Sequence, residues 1–66
     1  MQPRIGDIIC YQTSTDVMPI TGIIKEAELL FDVEIIYKVV TEITNQINYI
    51  VDADIVRNIS RSRTID

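Results

Sequence analysis

The sequence contains no histidine and a single cysteine. Without histidine the commonest general base is absent, and a structural zinc site lacks the nitrogen ligands that it usually uses. Cys10 has no second cysteine in the chain, which excludes an intramolecular disulfide. These absences predict a protein that is not an enzyme and that carries no cofactor or metal.

The sequence also lacks an apolar run long enough to cross a membrane. Its first seven residues do not have the charged-then-apolar order of a signal peptide. A lone free thiol is ordinary in a reducing compartment. We therefore expect a soluble cytoplasmic protein that does not associate with membranes.

Size and charge limit what the chain can do alone. A chain of 66 residues supports one hydrophobic core at most. A domain of this size buries only about 60% of the surface that its unfolded chain exposes, so its stability is marginal unless a partner adds contacts. The net charge of −4 repels a phosphate backbone at long range, which argues against nucleic-acid binding.

Isoleucine dominates the apolar residues, with fourteen copies in the chain. Its branched side chain suits a pleated sheet. In residues 31–43 the odd positions are apolar except Thr41, and most even positions are charged. This period of two predicts a long strand with one buried face. The preceding residues 25–30 are good helix formers, and we expect one helical turn there at most, or else a continued strand or a bulged loop.

Turn-forming residues divide the rest of the chain. Gly22 marks a bulge or a close backbone approach within the second strand. The predicted strands cover residues 6–12, 20–25, 31–43, 47–51 and 55–56, with a loop over 12–19, a tight hairpin at 44–46 and a 3₁₀ turn at 52–54. We expect one domain over residues 1–59 and a flexible tail over residues 60–66.

Four long strands and a short fifth, joined by one long loop and two short connections, are what a small SH3-like barrel requires, and closure would remove its exposed edges. Three segments carry a family likeness: Gly6-Asp7-Ile8-Ile9, Thr21-Gly22-Ile23-Ile24 and Val51-Asp52-Ala53-Asp54-Ile55-Val56. In these segments the chain resembles the SH3-like barrels of the KOW and Tudor type. The resemblance implies an all-β, five-stranded SH3-like barrel with a short 3₁₀ turn before the last strand. Members of such families bind RNA, ribosomal or polymerase surfaces, methylated tails or proline-rich peptides, and this chain lacks the basic loops of the nucleic-acid-binding members.

Two groups of residues could in principle support chemistry. On a strand, Asp52 and Asp54 would share one face and could hold a proton or a metal between them, although a polar turn explains them more simply. Cys10 could act as a nucleophile if a neighbouring base activated it. No such neighbour is evident in the sequence, and we interpret Cys10 as a small buried hydrophobe.

The four aromatic residues raise the question of a peptide-binding groove. If Tyr11 is exposed beside the loop that contains Asp16, the pair would suit a basic or proline-rich peptide. Phe31, Tyr37 and Tyr49 lie on the apolar phases of their strands. We therefore expect at least two of these three to lie in the core.

The chain has more isoleucine than a small barrel can enclose. Ile36 and Val40 lie on the otherwise charged side of the long strand. Ile9, Ile20 and Ile50 are likewise predicted to exceed the space in the core. Such residues favour contact with another chain, which would also stabilise a small domain. We expect a homo-oligomer or an obligate protein partner, with Tyr11, Asp16, Ile36 and Val40 as candidate contacts.

Two functions are compatible with these patterns. The first is a non-enzymatic protein-interaction module, such as a small accessory protein of a phage or mobile element. The alternative is a nucleic-acid-associated barrel in which Arg57, Arg61 and Arg63 contact phosphates. No aromatic residue stands between these arginines to stack on a base, and the sequence favours the first function.

Overall fold

The five strands form one antiparallel sheet in the order β4-β3-β2-β1-β5. This architecture comes from a computed structural model that describes residues 3–59. The strands are β1 (Ile8–Tyr11), β2 (Ile20–Leu30), β3 (Glu34–Thr41), β4 (Ile47–Val51) and β5 (Ile55–Asn58), and a 3₁₀ turn (Asp52–Asp54) precedes β5. The predicted all-β class and the 3₁₀ turn are confirmed. Within the described residues β4 and β5 are the two sheet edges and do not pair with each other, so the sheet is not closed into a barrel.

The longest pairing joins β2 to β3. It runs from Gly22 opposite Thr41 to Leu30 opposite Glu34, with a register shift between Ile24 and Glu26. Lys25 is therefore an extra residue in β2, and a bulge of this kind bends a strand and increases its twist. Residues 25–30 continue the strand, which was one of the alternatives that the sequence left open.

The long predicted strand over residues 31–43 is shorter at both ends. β3 begins at Glu34, because the chain reverses at residues 31–33 and residue 30 already belongs to β2. It ends at Thr41, whose hydroxyl accepts a hydrogen bond from the Gln46 backbone at 2.9 Å. The Thr41 backbone N–H donates to the Gln46 carbonyl at 2.9 Å, so a five-residue loop replaces the tight hairpin predicted at residues 44–46.

The core lies on one face of the sheet and is small. Alternation in β3 places Tyr37 and Val39 inward, as predicted. The fully buried apolar side chains of the described residues are Ile9, Tyr11, Ile24, Tyr37, Val39 and Ile50. Ile20, Ile35 and Ile55 pack against them at the margin. This core is the only large apolar cluster that the described sheet encloses. The register of the strands therefore decides which other apolar side chains remain outside it.

In β1 and β4 the predicted phase is wrong. Ile9 and Ile50 were expected to be surplus, yet both are buried, whereas Cys10 is only partly buried. Tyr49 was expected in the core and is 67% exposed. The inward position of β4 that faces Tyr11 is Asn48, whose side-chain amide donates a 2.9 Å hydrogen bond to the Tyr11 hydroxyl. A polar residue can therefore occupy the inner face, because a buried hydroxyl needs a partner there.

Gly22 lies where β2 passes close to β3, as the sequence indicated. A Cβ atom at this position would be 2.5 Å from Val39 Cγ1 and 2.9 Å from the Val40 carbonyl oxygen. No side chain can be accommodated without moving the backbone of β3. The absence of a side chain at Gly22 thus allows the root of the β2–β3 hairpin to pair closely.

Substitution of Gly22 by alanine should lower the free energy of unfolding by roughly 1 to 3 kcal/mol, because the new methyl group overlaps a neighbouring strand. Urea denaturation followed by circular dichroism measures this change. Ser14→Ala, at an exposed position, is the control and should stay within about 0.5 kcal/mol of the parent. An unchanged midpoint for Gly22→Ala would contradict the close approach.

Candidate functional site

Tyr11 does not line an exposed groove. Its side chain is fully buried, so the exposure on which its peptide-binding role depended is wrong. Asp16 organises the loop after β1: its carboxylate accepts hydrogen bonds from the Thr13 backbone N–H at 3.0 Å and from the Thr13 hydroxyl at 2.8 Å. Asp16 therefore holds a turn over residues 13–16, within the loop predicted over residues 12–19.

Ile36 and Val40 lie on the outer face of the sheet, opposite the core, and are half-buried there. Val40 belongs to a cross-strand row that crosses four strands. Its members, joined by pairing of Ile8 with Ile23, Ile23 with Val40 and Val40 with Ile47, are all apolar. We call these four residues the outer row. Beside it, the half-buried Lys38 forms a 3.7 Å ion pair with the exposed Glu26, so the apolar surface is bordered by charge.

Only one of the three candidate phosphate-contacting arginines lies among the described residues. Arg57 lies in β5, is exposed, and pairs with Cys10 across the ladder. Arg61 and Arg63 lie outside the described residues, as does the whole predicted tail over residues 60–66. The described residues therefore bring no cluster of arginines together.

Asp54, one of the two aspartates of the 3₁₀ turn, makes structural contacts. The Asp54 carboxylate accepts a 3.2 Å hydrogen bond from the Val51 backbone N–H, and its carbonyl accepts one of 2.9 Å from Gln12. Within residues 3–59 no group of three or more cysteine, aspartate or glutamate side chains is arranged to hold a metal ion. The structure thus supports the simpler interpretation of this segment as a turn. None of the described elements is a helix with the length and apolarity needed to span a membrane.

The most unusual surface is the end of the β2–β3 hairpin. We define the hairpin head as residues 29–34. β1 pairs with β2 only as far as Ile23, and β4 pairs with β3 only from Ile36 onward. The head therefore extends beyond both neighbouring strands. Its apolar side chains are exposed: Leu29 by 57%, Leu30 by 41%, Phe31 by 86% and Val33 by 84%.

The turn in the head is conformationally strained. Phe31 and Asp32 have positive φ angles of 52° and 56°, and the Leu30 carbonyl accepts a 3.0 Å hydrogen bond from the Val33 N–H across them. Glycine or asparagine normally occupies such positions. A bulky residue there costs about 1 to 3 kcal/mol. Phe31 gains no burial that would offset this cost.

A cavity of about 260 Å³ opens at the base of the head. Apolar side chains from both hairpin strands form part of its wall, and the 3₁₀ turn contributes a carboxylate. Its lining residues are Leu29, Val33, Glu34, Ile35, Tyr37 and Asp52. We call this space the acid cavity, since Glu34 and Asp52 are its charged groups and no lysine or arginine of the described part of the chain lines it.

Among the residues of the acid cavity, Tyr37 has a buried hydroxyl group that the core does not satisfy. Its side chain is 1% exposed, yet its hydroxyl has no hydrogen-bond partner among the described residues. Burial, and after it the charge of Asp52, raise the pKa of Tyr37 above the ordinary tyrosine value of 10.0. A buried hydroxyl without a partner costs about 1 to 3 kcal/mol. Tyr11 differs, because Asn48 satisfies its hydroxyl.

The sequence did not reveal the hairpin head or the acid cavity. Phe31 and Val33 continue the alternating pattern of β3, so nothing distinguished them from core residues. Of the three aromatic residues with apolar phase, Tyr37 alone is buried, and the expectation of two in the core is wrong.

Comparisons with known proteins do not add to this geometry. No protein-family model matches the sequence, and no curated protein or solved structure shows significant similarity to the chain. Inferences about function therefore come from the described residues and their chemistry.

Two conservative substitutions should have opposite effects on stability. Tyr37→Phe removes a hydroxyl that has no partner and should raise the free energy of unfolding by about 1 kcal/mol, whereas Tyr11→Phe leaves the Asn48 amide unpaired and should lower it by about 1 kcal/mol. Urea denaturation of the two variants measures both values. Equal destabilisation would contradict the assignment of Tyr37 as unpartnered.

Tyr37 also predicts how the stability of the protein changes at alkaline pH. Because the pKa of Tyr37 is raised in the folded state, the folded protein holds this proton more tightly than the unfolded chain. The resulting stability is complete below pH 10 and is lost as the pH rises through the folded-state pKa. In Tyr37→Phe, stability measured above pH 10 should therefore fall less steeply than in the parent protein.

Proposed function

We propose that this protein is a non-enzymatic interaction module that docks on another protein through the hairpin head. The observation that supports this function most is Phe31, a bulky apolar side chain that is 86% exposed at a strained turn. Neither burial nor favourable backbone conformation accounts for phenylalanine at this position. Insertion into an apolar pocket of a partner would bury this side chain and account for it.

The shape of the hairpin head supports the same function. The head carries apolar side chains on a two-stranded projection that no other described strand covers. Asp32 and Glu34 accompany these apolar residues. A partner with an apolar pocket and a basic rim would therefore complement it in both shape and charge.

We also propose that the fold is related to SH3-like barrels. The strand order, the extra residue Lys25 in β2 and the 3₁₀ turn before β5 support this relationship. An open sheet with this order leaves the β2–β3 hairpin free to project. The proposed architecture and docking mode are thus compatible.

Photocrosslinking tests the docking proposal directly. With p-benzoylphenylalanine in place of Phe31, irradiation in an extract of the producing cells should give one discrete adduct. The same photoprobe at exposed Ser14, in the loop after β1, should give none. An adduct of twice the 7.6 kDa chain mass would identify the partner as a second copy. Equal labelling from both positions, or none from position 31, would contradict docking through the head.

A matched double variant separates binding from folding. Phe31→Asn with Asp32→Gly provides the residues that positive φ angles favour, so stability should rise by about 1 kcal/mol. In competition, the unlabelled parent protein should suppress the adduct, whereas this more stable variant should not. Suppression by both proteins would show that the head does not contribute to recognition.

The outer row supports a second candidate function, self-association. Four apolar side chains form one continuous line across the sheet, ending at Ile47 on the β4 edge, which is 51% exposed. A second copy placed against this line would bury both rows in one symmetric contact. The added burial would also stabilise a domain whose own core is small.

Sedimentation equilibrium tests self-association. The parent protein should exceed its monomer mass of 7.6 kDa at high micromolar concentration. Val40→Thr keeps the branched shape but introduces a hydroxyl into the row, and it should shift the population toward monomer by about tenfold in dissociation constant. Glu26→Gln, on the same face but outside the row, should leave association unchanged. A parent protein that remains monomeric would exclude this candidate.

The nucleic-acid alternative has less support from the described residues. Arg57 is the only one of its three arginines among them, and the projecting head carries carboxylates. With a net charge of −4, the chain repels phosphate at long range. Protein docking therefore accounts for more of the observed surface.

A further inference from the structure

The acid cavity has a charge pattern that its own residues do not balance. Glu34 and Asp52 are both exposed at its margin. No cationic side chain among residues 3–59 lines the cavity, and the ion pair of Lys38 with Glu26 lies elsewhere on the sheet. A cationic group entering from outside would therefore meet two carboxylates and no competing charge.

The rest of the lining constrains the shape of that cationic group. Leu29, Val33 and Ile35 supply apolar wall, which suits an aliphatic chain leading to the charge. A bare metal ion is less suitable, since the cavity offers two carboxylates and the described residues contain no larger ligand cluster. An anion is excluded by repulsion.

Tyr37 provides an independent indication of a ligand. It lines the cavity, its side chain is 1% exposed, and its hydroxyl has no hydrogen-bond partner within residues 3–59. Buried polar groups in folded proteins nearly always have a partner, so an exception calls for an explanation. A donor brought by a ligand would supply it.

We propose that the acid cavity receives an arginine side chain of the protein partner that docks on the hairpin head. Its aliphatic stem contacts Leu29 and Val33, while its guanidinium group faces Glu34 and Asp52 and donates to the Tyr37 hydroxyl. Arginine fits better than lysine because it has five N–H donors, is more weakly hydrated and remains charged at all relevant pH values. The inference rests on the proposed function, since Leu29, Val33 and Glu34 belong to both the head and the cavity.

Titration of the ¹⁵N-labelled full chain with N-acetyl-arginine amide tests this assignment. Amide shifts should saturate in the millimolar range and should be confined to residues around the cavity, including Val33, Ile35 and Asp52. N-acetyl-lysine amide should bind at least about threefold more weakly, and the neutral citrulline analogue should give no saturable shifts. Saturable binding of citrulline, or equal binding of lysine, would overturn the arginine assignment.

Isosteric variants locate the site. Glu34→Gln and Asp52→Asn should each weaken arginine binding by about fivefold. Glu42→Gln removes the same charge at an exposed position outside the cavity and should leave binding unchanged. Tyr37→Phe should weaken binding while it increases stability, a combination that a purely structural role would not produce. Equal effects of Glu34→Gln and Glu42→Gln would show only general attraction to an acidic protein.

The two proposals can fail separately. The Phe31→Asn, Asp32→Gly variant should still bind N-acetyl-arginine amide, because neither residue lines the cavity. Absence of saturable shifts in the parent protein would contradict the arginine site. It would not affect the proposal of docking through the head, which the photocrosslinking result decides. Shifts confined to the same amides that grow with protein concentration alone would assign the cavity to an arginine of a second copy and overturn the partner version.

Discussion

The antiparallel pairing of β2 with β3 is the interaction on which the rest of the structure depends. It joins the two longest strands, and Gly22 at its root permits a close approach that a methyl group would prevent. The extra residue Lys25 shifts the register once, between Ile24 of the core and the projecting head. One ladder therefore sets both the buried face and the position of the exposed head.

The small inner face determines which apolar side chains remain outside the core. The core of the described residues has only six fully buried apolar side chains, although the chain contains fourteen isoleucines. Among the apolar residues outside this core, some form the outer row or the hairpin head, and others, such as Val17, Ile43 and Val56, are exposed elsewhere. The exposure of the outer row and the head follows from register and chain length, and it supplies the two surfaces on which the proposed contacts depend.

Sequence patterns predicted the elements better than their orientations. β4 and the 3₁₀ turn have the predicted bounds, and the buried phase of β3 is correct because charged residues alternate with apolar ones there. β1 and β4 carry apolar residues on both faces, so alternation could not choose between them. The choice depends on a long-range contact, the hydrogen bond from Asn48 to Tyr11. Phe31 was assigned to a strand because its local pattern continues that of β3, while the turn is imposed by pairing with β2.

Cross-strand nuclear Overhauser effects between β2 and β3 test the central claim, that this register separates the core from the outer row and the hairpin head. The account predicts that Ile23 faces Val40 at the root and that Leu29 faces Ile35 near the head, with one extra residue between them at Lys25. A ladder displaced by one residue, with Ile23 opposite Val39, would turn the β3 side chains to the other face. That result would contradict the assigned core, the outer row and the hairpin head together.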